Sequence, residues 1–337
     1  MRKTVLILGA TGRLGHALLR AFGDAGWQVV AQGRGPAPDD LPPGVAYDRG
    51  PLDPVYWSQR CPQASVVVHA VNPHYSRWSE DAIPALRAAI AIARALEARL
   101  MFPGNVYNYA FPIPAVIDDR TPERATTRKG AIRVEMERML AAAVADGVRS
   151  VVLRAGDFIG AERAGTWFDQ AITRDLRSGA LCYPGPLDVV HAWQDVDTLA
   201  MRFVQVAERE RALPDFVRFH VEGHAVSGAQ LLDAVSRNTF ALGLATRRYP
   251  LRIKAFPWRM LALGQRLIPT WRELLELRDL WRQPHALDGS DLRAFLGDEH
   301  GPPESLDTVV RRALRRDPRL RSALPDHSDH STLERST

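Results

Sequence analysis

The chain opens on an aliphatic run, Thr4-Val5-Leu6-Ile7-Leu8, with no charged residue to mark an outer face. A strand of this kind is buried on both sides, as in a parallel sheet. Glycines follow at Gly9, Gly12 and Gly15, and then the period changes. Leu14, Leu18 and Phe22, with neighbouring alanines, recur at helical spacing, and the pattern ends near Gly23-Asp24-Ala25-Gly26. Trp27 to Gln32 reads as a second strand. Residues 35–44 are rich in Pro, Gly and Asp and read as a loop. Val45-Ala46-Tyr47 predicts a third strand and Ser65 to Val71 a fourth. Helical spacing then runs over 81–98, Leu100-Met101-Phe102 gives a fifth strand, Ala131 to Ala145 a helix, and Ser150 opens a sixth strand. This alternation predicts an α/β fold built on a doubly wound parallel sheet.

Beyond about residue 160 the alternation fades. Residues 216–221 read as a strand and Ser227 begins a helix. The expected division is a domain over 1–160 that carries the sheet and a smaller, mostly helical lobe over 161–321, with the chain returning to the sheet. The polar segment 322–337 is expected to be a disordered tail.

Composition narrows the classes. Of 337 residues, 46% are hydrophobic and 25% charged, which fits a soluble globular protein. The most apolar stretch, Ala82 to Leu100, is broken by Arg87, Arg94, Glu97 and Arg99, so no stable membrane insertion is expected. The net charge of +5 comes from arginine, since only Lys3, Lys129 and Lys254 are lysines. The arginines are spread along the chain, which argues against a nucleic-acid partner. Cys61 and Cys182 lie far apart, without zinc spacing or a disulfide framework, and no metal site is expected. The short apolar start runs straight into glycines with no cleavage-type ending, so a cytoplasmic location is expected.

The glycines sit between a strand and a helix, the context in which they bind a dinucleotide. Gly9 permits the tight turn. Gly12 lets backbone approach a pyrophosphate. Gly15 lets the helix pack closely on the sheet. Thr11, Arg13 and Leu14 lie on the same loop, at a helix N-terminus whose N–H groups favour anions. The end of the second strand reads Ala31-Gln32-Gly33-Arg34. It lacks the acid that bonds a ribose 2′-hydroxyl, and Arg34 suits a 2′-phosphate, so NADP is expected, with NAD possible.

Gly9-Ala10-Thr11-Gly12-Arg13-Leu14-Gly15 resembles the glycine motif of the extended and atypical short-chain dehydrogenase/reductase superfamily, which includes the NAD-dependent epimerase/dehydratase family. The resemblance implies a Rossmann-type domain. It implies that Asp48 approaches the adenine, that Val71 and Asn72 run beside the nicotinamide ribose, and that helices beginning near Asp81 and Ala131 form a homodimer. It also exposes a departure. The superfamily carries Ser-Ser-x-x-Val-Tyr-Gly where this chain has Pro103-Gly104-Asn105-Val106-Tyr107-Asn108, and no tyrosine here precedes a lysine by four residues. Matching Lys129 to the family lysine puts Ala125 at the tyrosine position. Lys129 is then expected to orient the nicotinamide ribose, Tyr107 or Lys129 to carry the proton, and Asn105 to polarise the substrate oxygen.

Asp157, after Leu153-Arg154, falls at the ligand edge of the sheet and suits a substrate hydroxyl or a base role. His191 and Trp193 belong to a stretch resembling the family's His-Val-x-Asp-Leu-Ala and are candidates to face the pocket. Residues 255–282 carry Trp258, Trp271 and Trp281 in an amphipathic pattern, and Glu273, Glu276 and Asp279 interleave with the arginines, which favours a substrate lobe over a membrane surface. The expected function is NAD(P)-dependent oxidation, reduction or epimerisation of a small carbonyl or hydroxyl compound. The alternative is a redox-inert NAD(P)-binding sensor of NmrA-like type.

Overall fold

The computed structural model describes residues 2–109, 111–160, 162–163, 165–244 and 251–321, so the tail expected from Ser322 lies outside the described residues. Strand β1 (Thr4–Leu8) is buried at all five positions. Helix α1 (Arg13–Asp24) turns Leu14, Leu18, Leu19 and Phe22 inward. Strands β2 (Gln28–Gln32) and β3 (Ala46–Asp48) follow, then α2 (Pro54–Arg60), whose N-cap Asp53 accepts from the Tyr56 N–H at 2.8 Å. Next come β4 (Ala64–His69), α3 (Trp78–Ala95), β5 (Arg99–Gly104), a short β6 (Val116–Ile117), α4 (Arg128–Ala142) and β7 (Ser150–Arg154).

The second half holds β8 (Asp157–Ile159), β9 (Ala180–Tyr183), β10 (Val190–Asp195), α5 (Val196–Glu208), β11 (Phe216–His220), β12 (His224–Ser227), α6 (Gly228–Ala241) and β13 (Arg252–Ala255). A helical hairpin, α7 (Trp258–Gly264) and α8 (Pro269–Leu275), follows. The chain closes through β14 (Ala286–Leu287), α9 (Ser290–Leu296), α10 (Leu306–Arg316) and α11 (Pro318–Arg321).

Seven strands form one parallel sheet in the order β11-β7-β5-β4-β1-β2-β3. The order reverses between β1 and β4, where Leu8 pairs with Gln32 on one side and His69 on the other. Such a switch point opens a ligand crevice at the carboxyl ends of the strands. Helices α1, α5 and α9 pack on one face and α2, α3 and α4 on the other. Strand β11 and helix α5 are the chain's return to the sheet. The smaller lobe has its own core, with Trp193, Trp281 and residues of α6 and α10.

Two boundaries differ from the sequence reading in ways that matter for the site. The fourth strand stops at His69, which leaves Val71 and Asn72 in the turn beyond it. Helix α4 starts at Arg128 rather than Ala131, because the Thr127 hydroxyl caps it by accepting from the Gly130 N–H at 3.0 Å. Lys129 is therefore inside the helix and not ahead of it.

Candidate functional site

The glycine loop lies at the switch point. Gly9 adopts φ 79°, and a Cβ there would sit 2.7 Å from the Val71 backbone nitrogen. At Gly15 a Cβ would lie 2.3 Å from the Gly9 carbonyl oxygen, so close packing of α1 onto the loop requires glycine. Gly12 differs. Its nearest neighbour would be the Gly9 oxygen at 3.2 Å, and the space beyond opens into the cleft. It is also the N-cap of α1 and brings no capping side chain to the first turn. This is a cradle shaped for a pyrophosphate. The loop is braced by Gln32, whose side-chain oxygen accepts from the Gly9 N–H at 3.1 Å while its amide donates to the Gly50 carbonyl at 3.0 Å.

The cleft is about 980 Å³ and draws its walls from both lobes. Thr11, Arg13 and Leu14 line it, as the sequence reading expects. Six arginines line it in all, Arg13, Arg34, Arg49, Arg133, Arg163 and Arg174, against one carboxylate among the described residues, Asp157. Arg34 and Arg49 stand at the end beside β2 and β3, where no acid among the described residues faces the cleft. Asp48 is not among the lining residues. Its carboxylate accepts from the Tyr56 hydroxyl at 2.8 Å, Arg60 at 2.8 Å and the Gly50 N–H at 2.7 Å. Burial opposes its ionisation, but these donors outweigh that and hold its pKa below the ordinary value. It fastens the turn after β3 and offers nothing to an adenine.

At the other end the lining comes from His69, Val71, Asn72, Trp78, Asn105, Tyr107, Arg133 and Met136. His69 is buried, stacks on Phe102 and has no hydrogen-bond partner on either ring nitrogen. Burial, with Arg133 nearby, pushes its pKa down to about 3, so the ring is neutral. Asn72 accepts from the Trp78 indole N–H at 3.1 Å. Asn105 accepts from the Tyr107 N–H at 3.0 Å, which turns Tyr107 into the cleft wall. Beneath this turn, Arg154 donates to the Asn105 carbonyl at 2.5 Å and pairs with Glu137 at 2.7 Å and Glu123 at 2.6 Å. Glu137 is fully buried, and burial opposes its charge, yet Arg154 and the groups around it keep it ionised.

Lys129 is not in this wall. Its side chain is fully buried on the far side of the turn. The ammonium pairs with Glu273, donates to the Glu273 carbonyl at 3.2 Å and reaches Glu276 at 2.8 Å. These contacts join α4 to the end of α8. The positions of α4 that do face the cleft are Arg133 and Met136. Arg133 lies four residues after Lys129, donates to the Pro103 carbonyl at 3.0 Å and sits over the Trp78 and Phe102 rings at 4.9 and 5.2 Å. The cation that α4 presents to the cleft is thus an arginine, one turn later than the lysine expected.

On the smaller lobe, Asp157 faces the cleft beside Gly156 and Phe158. His191 and Trp193 do not. Both are buried behind it, in an aromatic cluster where the His191 ring stacks on Trp281 at 4.3 Å. His191 Nε2 lies 2.8 Å from the Asp157 carboxylate and so orients it from behind. The roof is apolar: Phe256, Pro257, Met260, Leu261, Trp271 and Leu274, mostly from the α7–α8 hairpin, with Trp167 packed edge-on against Phe256 at 5.7 Å. One further cluster lies beside α1, where buried His16 has Glu162 at 3.2 Å from Nδ1 and Asp40 at 3.6 Å from Nε2. The two carboxylates address opposite ring nitrogens, and Arg163 and Arg20 pair with them. That is a charge cluster and not a metal cage.

No family model and no curated protein matches the chain. Solved structures do. A UDP-glucose 4-epimerase from Brucella ovis in complex with NAD is 17% identical over 92% of this chain and 97% of that chain, with a TM-score of 0.70. A UDP-N-acetylglucosamine 4-epimerase from Bacillus cereus is 11% identical, covering 92% and 98%, with a TM-score of 0.70. The enzyme WbmH from Bordetella bronchiseptica in complex with NAD+ is 17% identical, covering 93% and 97%, with a TM-score of 0.69. The fold is that of the UDP-sugar 4-epimerases.

Sequence reasoning missed Arg133, Trp78, Arg49 and the hairpin roof. Arg133 carried a usable signal, since it follows Lys129 at the four-residue spacing of the superfamily pair, with a different cation. The amphipathic pattern over 255–282 assigned that stretch to the substrate lobe, but nothing local says where the hairpin docks.

Proposed function

We propose that the chain is an NADP-dependent oxidoreductase or epimerase acting on a small carbonyl or hydroxyl compound with an apolar body. The observation that carries this is the cleft's charge: six arginines and one carboxylate, wrapped around a glycine cradle that a Cβ would fill. The residues fit the cofactor. Gly9, Gly12, Gly15 and the first turn of α1 would hold the pyrophosphate, Arg34 and Arg49 the 2′-phosphate, and Arg133 the nicotinamide ribose beside Val71 and Asn72. The bound nicotinamide supplies reversible hydride transfer. Tyr107 would move the substrate proton, with Asn105 fixing its approach and Asp157, oriented by His191, contacting the substrate. Lys129 takes a positioning role, holding the roof to α4. Two of the structural neighbours are named as epimerases of UDP-sugars. The apolar roof here favours a less polar compound.

Calorimetric titration of NADPH and NADH tests the reading. Wild type binds NADPH more tightly than NADH, and Arg34→Ala removes that preference. Arg133→Met weakens both by roughly tenfold or more, the worth of one charge-assisted contact. Lys129→Met in a folded variant leaves affinity nearly unchanged. Equal wild-type affinities would remove the 2′-phosphate assignment. Loss of binding in Lys129→Met but not Arg133→Met would restore the lysine to the site. One observation favours a second reading: Lys129 is withdrawn from the cleft, so no tyrosine–lysine pair stands in its wall among the described residues, as suits a redox-inert sensor. Tight NADPH binding with no turnover across a carbonyl and hydroxyl panel, UDP-glucose included, would decide for the sensor.

A further inference from the structure

Five of the large hydrophobic side chains that the described residues leave exposed fall within one short segment, Ile253, Met260, Leu263, Leu267 and Ile268. Leu263 and Leu267 are 87% and 86% exposed, nearly as open as in an extended chain. They sit at the tip of the α7–α8 hairpin, where the Leu267 and Ile268 N–H groups both donate to the Gly264 carbonyl at 3.0 Å and close a tight turn. Gly264 lets the Trp271 ring lie against α7, since a Cβ there would be 2.3 Å from it. The tip is therefore held in shape, and its apolar side chains point away from the protein. Met260 is shared, lining the cleft and standing half-exposed at its rim.

The charge around the tip has one sign. From Leu251 to Arg272 the sequence contains no Asp or Glu and has five cations, Arg252, Lys254, Arg259, Arg266 and Arg272, of which Lys254 pairs with Asp175 and Arg272 with Glu273. Arg252, Arg259, Arg266 and Arg272 are exposed. Arg259 and Arg266 have no ion-pair partner among the described residues. The acids that interleave with arginine in the sequence do not reach this face. Glu273 is buried, and both it and Glu276 are turned inward onto Lys129. The first exposed acid is Asp279, beside Arg278.

We propose that the α7–α8 tip docks on an anionic phospholipid surface, with the leucines entering the headgroup–acyl boundary and the arginines meeting lipid phosphates. Charge decides this occupant. A second copy would bring the same arginines against themselves, whereas an anionic bilayer complements both the apolar tip and its cationic rim. The docked mouth of the cleft, roofed in apolar side chains, then faces the bilayer. The inference rests on the outer surface of the hairpin and stands whether or not the proposed reaction is right.

Flotation tests it, using the full chain with vesicles of phosphatidylcholine alone or of phosphatidylcholine mixed with phosphatidylglycerol. Wild type floats with the mixed vesicles and stays behind with phosphatidylcholine. High salt weakens the partition. Leu263→Asp with Leu267→Asp lowers it by about tenfold or more, as expected when apolar burial and charge attraction act together. Arg259→Gln with Arg266→Gln lowers it as well. All these side chains are exposed, and the melting temperature and NADPH affinity of each variant report an intact fold. Absence of flotation, or flotation that survives both double variants, would overturn the proposal. A wild-type dimer that the aspartates convert to a monomer, with no vesicle binding, would instead assign the tip to a second copy.

Discussion

The glycine loop and Lys129 teach opposite lessons about single residues. Gly9 and Gly15 are legible in the sequence because backbone geometry forces them: one needs φ 79°, the other leaves 2.3 Å for a Cβ. Gly15→Ala is therefore expected to push α1 off the loop, costing about 1–3 kcal/mol of stability and most of the NADPH affinity. Chemical denaturation and titration would show it, and an alanine variant as stable as wild type would mean that the loop is looser than described. Lys129 misleads because its rarity looks functional. Here the ammonium is buried between Glu273 and Glu276 and ties α4 to α8. Nothing in the sequence near residue 129 announces partners near 273 and 276.

At the scale of elements, strand and helix periodicity places β1, α1, β2 and α3 nearly as the structure has them, since each has one face that must be buried. The hairpin α7–α8 is harder to read. Its inner side mixes the apolar lining of the cleft with a buried ion pair, and its tip is apolar where amphipathic patterning assumes polar residues. The pair makes a specific prediction. Lys129→Met alone leaves Glu273 buried beside only Arg128 and Arg272 and should cost about 3–5 kcal/mol. Adding Glu273→Leu should recover much of that loss, because the uncompensated charge goes with it. Urea unfolding of the two singles and the double would measure the coupling. Additive losses would show that the pair is not what fastens the hairpin. Candidate chemistry on long-range contacts of this kind is invisible to local reading, which explains why His191 and Trp193 prove to be support behind Asp157.

For the whole molecule, the doubly wound sheet and the second lobe were both expected, and the aromatic core joining β9, β10 and α6 was not. That core and the cleft hide neutral histidines. Burial lowers the pKa of His69 to about 3, His285 to about 3 and His220 to about 4. In the unfolded chain each takes up a proton near its ordinary value, so the unfolded state binds more protons as pH falls. Stability is fully present above the ordinary histidine range and is lost progressively on acidification toward these folded values. From about pH 7.5 to about pH 5.5 the loss is roughly 1.4 kcal/mol per histidine, or about 4 kcal/mol for three. Denaturant midpoints at the two pH values would read it, and a flat profile would mean that these rings are protonated or solvated in the native state.

Gln32 has a consequence for how this protein can change. Its amide is a strut with two different ends, accepting from the Gly9 N–H and donating to the Gly50 carbonyl. An acid at this position could still accept from Gly9, but it would set a carboxylate oxygen against the Gly50 oxygen. The simplest evolutionary route to a new coenzyme preference, one acidic substitution at the end of the second strand, would therefore cost the loop its brace. Descendants of this chain that switch coenzyme are steered instead to Arg34 and Arg49, where the side chains are exposed and nothing structural hangs on them. The strand end is entrenched, and the adaptable part of the proposed adenosine pocket is its rim.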